Sequence, residues 1–228
     1  MANAMSSRRI YRHFCMMART LELIGERWSL LIVRDLLFGP RRFTDLARAL
    51  NDITPSRLTS RLRGLEAAGI VTREPRSTGR EVWYALTEAG AALEPIVDEL
   101  TLWGIENAPE PPLPGEPAQP EPVMVGTKVV LKTFAPPPES AVCWVWRFSP
   151  DDSFTIRFDE GEWKITRGEA EAADVIVDAD AKAWVHFLTS SPRHLPQTEI
   201  QLTGLPTAQA RFAKTFYAEL RRSTGREA

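Results

Sequence analysis

Cysteine and histidine are scarce in this 228-residue chain, with two of the first and three of the second. Cys15 and Cys143 lie too far apart in sequence to form a disulfide framework, so a reducing cytoplasm is the expected setting. His13, His186 and His194 are scattered, and no serine sits at a spacing that would make it a nucleophile. No H-E-x-x-H, C-x-x-C or glycine-rich phosphate loop occurs. Asp151-Asp152 and Asp159-Glu160 read as solvated turn residues. An enzyme, a metal site and a cofactor are therefore not expected. No stretch approaches the roughly 18 apolar residues of a membrane span. Arg8-Arg9 is not followed by the apolar core of an export signal, because Arg12, His13, Arg19 and Glu22 interrupt it.

Lysine is missing from residues 1–105, where 15 arginines face 12 acids; residues 106–228 carry a net negative charge. The positive charge is local, since Thr54 to Arg80 holds six arginines and two acids. With 43% apolar and 25% charged residues, the chain is globular and long enough for two domains. We expect a winged helix-turn-helix unit over residues 1–106, a proline-rich linker over 107–122 and an α+β domain over 123–228.

The stretch Thr54 to Glu66, TPSRLTSRLRGLE, anchors the first unit. Thr54 can cap a helix, and Pro55 suits its first position. Leu58, Leu62 and Leu65 form one buried stripe. Ser56, Thr59, Ser60 and Arg63 fall opposite that stripe, with Arg57 and Arg61 on its flanks. Small hydroxyl groups flanked by arginines suit a major groove; the alternative is an ordinary solvated surface helix.

Its neighbours are helix-forming too. Ile10, Phe14, Met17, Leu21 and Ile24 predict a helix from Arg9 to Ile24, and a core helix over Glu26 to Phe38 ends at Gly39-Pro40. A short helix capped by Thr44 and the turn at 51–53 complete a helix-turn-helix with the Thr54 helix. Strands over 70–74 and 81–86 enclose the loop 75–80, a wing whose Arg73, Arg76 and Arg80 could reach phosphate. Thr87 caps a last helix bearing Leu93, Ile96, Val97, Leu100 and Trp103, with Pro95 inside it. The apolar stripes of the first and last helices exceed what a small core needs. They imply a homodimer, or else packing on the other half of the chain.

The runs LELIGERWSLLIVRDLLFGPRRFTDLARAL, ITPSRLTSRLRGLEAAGIVTR and YALTEAGAALEPIVDELTLWG resemble the HxlR family of bacterial winged-helix transcription regulators. Gly25 to Trp28 (Gly-x-Arg-Trp), Gly39 to Phe43 (Gly-Pro-x-Arg-Phe) and Leu86 to Gly90 (Leu-Thr-x-x-Gly) carry the resemblance. It implies a dimeric regulator on near-palindromic double-stranded DNA. Many members have Cys-Pro at the start of the first helix, and in some that cysteine senses oxidants. Here Cys15 precedes Met16, which leaves redox sensing and inert packing as alternatives.

Seven prolines between Asn107 and Pro122 describe a stiff spacer, able to span about 50 Å. Residues 123–134 are ambiguous between helix and strand. Alternating apolar residues then mark five strands: Val142 to Phe148, Phe154 to Phe158, Trp163 to Ile165, Val175 to Val177 and Ile200 to Leu202. Helices over Ala181 to Thr189 and from Pro206 can cover the sheet. The order of elements is similar to SCP-2-like sterol-carrier domains, and that resemblance implies an apolar ligand. Trp144, Trp146, Phe154, Ile156, Trp163, Trp184, Phe187, Phe212 and Phe216 would then line the cavity; alternatively they fill a core. The expected function is a DNA-binding regulator modulated by an apolar effector. The rival is a lipid-carrier or interaction protein whose winged unit only dimerises.

Overall fold

The computed structural model describes residues 11, 14–75, 81–107, 116–189 and 199–223. The chain divides into two compact units, Met1–Glu94 and Pro95–Ala228. That boundary lies earlier than residue 106, for a reason seen at the helix that follows it.

Unit 1 begins with α1 (Met16–Ile24), closed by Gly25. The helix starts later than its periodicity suggests, because Cys15 is extended (φ −155°, ψ 124°) and occupies the N-cap position. The Tyr11 backbone N–H donates to Glu22 Oε1 of the helix at 2.9 Å. Next comes α2 (Ser29–Leu36), again shorter than expected, since Trp28 takes a left-handed φ of 81° at its N-cap. A two-residue strand, β1 (Arg41–Arg42), precedes α3 (Phe43–Ala49). The cap of α3 is Arg42 rather than Thr44: its backbone N–H donates to Asp45 Oδ2 at 3.3 Å.

The anchoring helix is α4 (Pro55–Ala67), followed by β2 (Val71–Pro75) and β3 (Val82–Leu86). The three strands form an antiparallel sheet in the order β1-β3-β2. Ile32, Val33, Leu36, Leu46, Leu58, Leu62 and Leu65 are buried and form the core. Thr87 caps only the short α5 (Glu88–Ala91). The apolar stripe continues in a separate helix, α6 (Glu94–Asn107). Pro95 thus sits in the first turn of α6, where its missing N–H breaks no helical hydrogen bond, and the expected kink becomes a helix start.

All but the first residue of α6 belong to unit 2. Asp98 explains the assignment: its two carboxylate oxygens lie 2.8 Å from Lys128 Nζ and 2.8 Å from Lys132 Nζ. Both lysines stand on α7 (Pro120–Phe134), which settles the ambiguous segment as helix and places Pro120 in the first turn. Helix thus begins within the expected linker; residues 108–115 of that linker lie outside the described residues.

The sheet of unit 2 comprises β4 (Val142–Ser149), β5 (Asp152–Asp159), β6 (Glu162–Arg167), β7 (Val175–Ala179) and β8 (Ile200–Gly204). Its order is β6-β5-β4-β7-β8. The first three strands form the expected meander, and β7 runs parallel to β4. Two further helices, α8 (Ala181–Thr189) and α9 (Pro206–Ser223), pack with α7 as the helical layer. Three helices therefore cover the sheet, one more than expected. The buried Thr127 hydroxyl of α7 accepts from Trp184 Nε1 and donates to the Val123 carbonyl, each at 2.8 Å. Glu121, also buried, pairs with Arg167, which reaches Asp152 as well.

Candidate nucleic-acid interface

The geometry of α4 follows from its first two residues. Thr54 Oγ1 accepts from the Arg57 backbone N–H at 3.4 Å, and Pro55 fills the first helical position. With Leu58, Leu62 and Leu65 turned into the core, Ser56, Arg57, Ser60 and Arg63 face solvent together. Gly64 continues that face without a side chain, and an added Cβ would meet no atom within 4 Å. The face offers two hydroxyl groups as donors or acceptors, two guanidinium groups and an open approach for a neighbouring backbone. Such a surface complements an anionic polymer with hydrogen-bonding edges.

Other expected contributors are held differently. Thr59 is half-buried, and its hydroxyl proton is committed to the Pro55 carbonyl at 2.8 Å, leaving only acceptor capacity. Arg61 lies 3.3 Å from Glu26, and Arg73 lies 2.6 Å from Glu66 with its guanidinium 5.6 Å from the Tyr84 ring centre. Neither arginine is uncommitted, so engaging a phosphate would mean exchanging an existing acid. Among the described residues, Arg57 and Arg63 have no such partner. Arg76 and Arg80 lie outside the described residues. Arg42 was missed by sequence reasoning: beside the wing, it pairs with Glu81 at 3.1 Å and lies 4.9 Å from the Trp83 ring centre. Its signal was present in the Gly-Pro-x-Arg-Phe segment, which places that arginine on β1.

The wing is fixed to the end of α4 by the Leu86–Gly90 segment. The Thr87 hydroxyl donates to the Gly69 carbonyl at 2.6 Å and accepts from the Gly90 N–H at 3.1 Å. A Cβ on Gly90 would stand 2.1 Å from the Ile70 carbonyl oxygen, so only glycine permits this approach. Gly90→Ala is expected to destabilise the protein by about 1–3 kcal/mol through overpacking against backbone, measured by urea denaturation. An unchanged midpoint would mean the wing base yields freely.

Cys15 is half-buried at the start of α1, and both cysteines are free. The nine aromatic and aliphatic residues proposed to line a cavity are all buried in unit 2. Their rings pack on one another: Trp144 and Phe212 are 4.9 Å apart centre to centre, Trp146 and Trp184 5.4 Å, and Phe212 and Phe216 4.9 Å. A half-open cleft of about 470 Å³ lies elsewhere in the unit, between α6, α7 and α8, and none of the nine lines it.

An HxlR-like helix-turn-helix family model matches residues 23–111. An uncharacterized HTH-type transcriptional regulator of Mycobacterium tuberculosis is 49% identical over 94 residues, covering 41% of this chain and 59% of the relative. The chain thus spans about three-fifths of the length of that mycobacterial relative. The similar YybR of Bacillus subtilis, also an uncharacterized HTH-type transcriptional regulator, is 40% identical over 94 residues, with 41% of this chain and 75% of the relative covered. Among solved structures, the reduced transcriptional regulator YodB of B. subtilis is 33% identical and has a TM-score of 0.38, covering 42% of this chain and 95% of that one.

Proposed function

The chain belongs to the HxlR-like helix-turn-helix family, and from that premise we propose that it is a DNA-binding transcriptional regulator acting as a homodimer on an inverted repeat. The observation that carries this reading is the exposed face of α4, where Ser56, Arg57, Ser60 and Arg63 stand together over a fully buried leucine stripe. Ser56 and Ser60 read base edges, with Thr59 as an acceptor. Arg57 and Arg63 grip phosphate or guanine, joined by Arg61 and the wing arginines Arg73, Arg76 and Arg80.

Dimerisation through the first and last helices of the winged-helix domain is supported by exposed apolar side chains. Phe14, Met16, Met17 and Leu21 are exposed at α1, as are Ile96, Leu100 and Trp103 on α6, with Phe14 87% and Trp103 62% accessible. Exposed large apolar side chains on each helix mark an interaction surface. Unit 2 is read as an SCP-2-like domain that takes an apolar effector. The meander, the strand at Val175, the helix after it and Gly204 before the last helix support that reading.

The test is a gel shift and footprint on DNA upstream of the protein's own gene. Specific retardation with two protected half-sites about 10 base pairs apart is expected. No binding at low salt would remove the regulator reading.

A further inference from the structure

Two arginines beside the reading helix are already engaged with acids in the free protein. Arg61, on the flank of α4, lies 3.3 Å from Glu26, which stands in the turn between α1 and α2. Arg73, on β2, lies 2.6 Å from Glu66 in the last turn of α4. The arginine side chains are 25% and 47% accessible, so neither guanidinium is sealed in the core and a phosphate can compete for both. Arg57 and Arg63, exposed on the same helix, have no acid partner among the described residues and present their charge directly.

A guanidinium that leaves a carboxylate for a phosphate exchanges one anion for another, and it gains only the difference between the two contacts. The exchange also leaves the carboxylate without its counter-charge close to the polyanion, where like charges repel. Salt dependence is blunted as well. Each cation released from the phosphate is offset in part by a cation returning to the vacated carboxylate.

We propose that Glu26 and Glu66 are intramolecular competitors of DNA phosphate, and that they set the affinity of the reading surface by holding Arg61 and Arg73. This role rests on the regulator reading and adds to it two acids that lower affinity. Arg57 and Arg63 grip DNA without giving up an existing pair, whereas Arg61 and Arg73 engage only by exchange. The complex therefore releases its DNA more readily than its number of arginines implies. Arg73 keeps its place when the acid lets go, because its guanidinium also lies 5.6 Å from the Tyr84 ring centre.

The experiment is a double-mutant cycle on the full chain, read by fluorescence anisotropy with DNA upstream of the protein's own gene. Glu26→Gln keeps the shape of an exposed side chain, and thermal unfolding checks that the fold is unchanged. It is expected to tighten binding about fivefold, two pairs being freed in each dimer, and to steepen the salt dependence. In an Arg61→Ala background the same substitution is expected to change affinity by less than about twofold, since the competitor has nothing left to hold. Seen from the other side, Arg61→Ala costs about twofold in the native background and about tenfold in the Glu26→Gln background.

Glu66→Gln with Arg73→Ala forms the second cycle, with the same pattern expected, and each acid stands or falls by its own cycle. Equal tightening with and without the arginine would overturn the role, because it would report only the general charge of the surface. Unchanged affinity in the glutamine variants would overturn it too. If the wild-type protein binds and neither cycle shows coupling, the acids have no such role while the reading of α4 stands. If the wild-type protein binds no upstream DNA at low salt, the regulator reading falls and this role falls with it.

Discussion

Replacing Arg57 and Arg63 together by alanine is expected to weaken DNA binding at least about 100-fold, roughly tenfold for each residue. Both side chains project from the exposed face of α4, and among the described residues neither is tied to an acid. If they contact phosphate, binding weakens on every sequence. In a dimer each substitution then removes two contacts, so the plot of log K against log salt flattens by about 1.8 units per substitution. A guanine contact would instead relax preference at one operator position, which a binding-site selection experiment detects. Arg61→Ala is expected to do less, because part of its interaction with DNA is offset by the Glu26 pair it must give up. Wild-type affinity and salt slope in the double variant would show that α4 is not the reading helix.

Asp98→Ala is expected to cost about 3 kcal/mol in the unfolding of unit 2, followed by tryptophan fluorescence in urea. Asp98 and Lys128 have side chains only 10% and 6% accessible, so removing the acid takes a close ion pair from an ammonium group in a nearly dry setting. Lys132→Ala serves as the contrast. Its side chain is 46% accessible, and loss of such an exposed pair is expected to cost less than about 1 kcal/mol. Equal, small effects from both substitutions would mean that the apolar neighbours, and not the ion pair, hold α6 to α7. Replacing Asp98 and Lys128 jointly by Leu and Met is expected to restore much of the loss, since the penalty comes from breaking a buried pair on one side only.

Much of the candidate interface was legible in residue order because its determinants are local. A cap, a proline and three leucines at helical spacing are all contained in 13 consecutive positions from Thr54 to Glu66, and the helix formed where they predict it. The partners of Arg61 and Arg73 were not legible. Arg61 meets an acid 35 positions away, and Arg73 meets one across the turn between α4 and β2. The two-residue strand β1 escaped notice because pairing with β3 defines it, and two residues carry no period.

In the second half, alternation located the strands, and the apolar positions faced the core. Alternation says which side chains turn inward but not whether the enclosed volume is full. The rings from Trp144 to Phe216 pack on one another, and a cleft opens where Gly126 and the valines leave a smaller wall.

By itself, then, the sequence determined the helix at Thr54, the dominance of arginine around it, the sheet-forming alternation beyond residue 140 and an apolar stripe on the last family helix. Only the tertiary structure decided which arginines are uncommitted, where the cleft lies and which lysines meet Asp98. Charge pairing and cavity shape depend on residues brought together from distant positions. A local pattern can require a partner for Asp98 and its neighbours, but only the packed chain supplies Lys128.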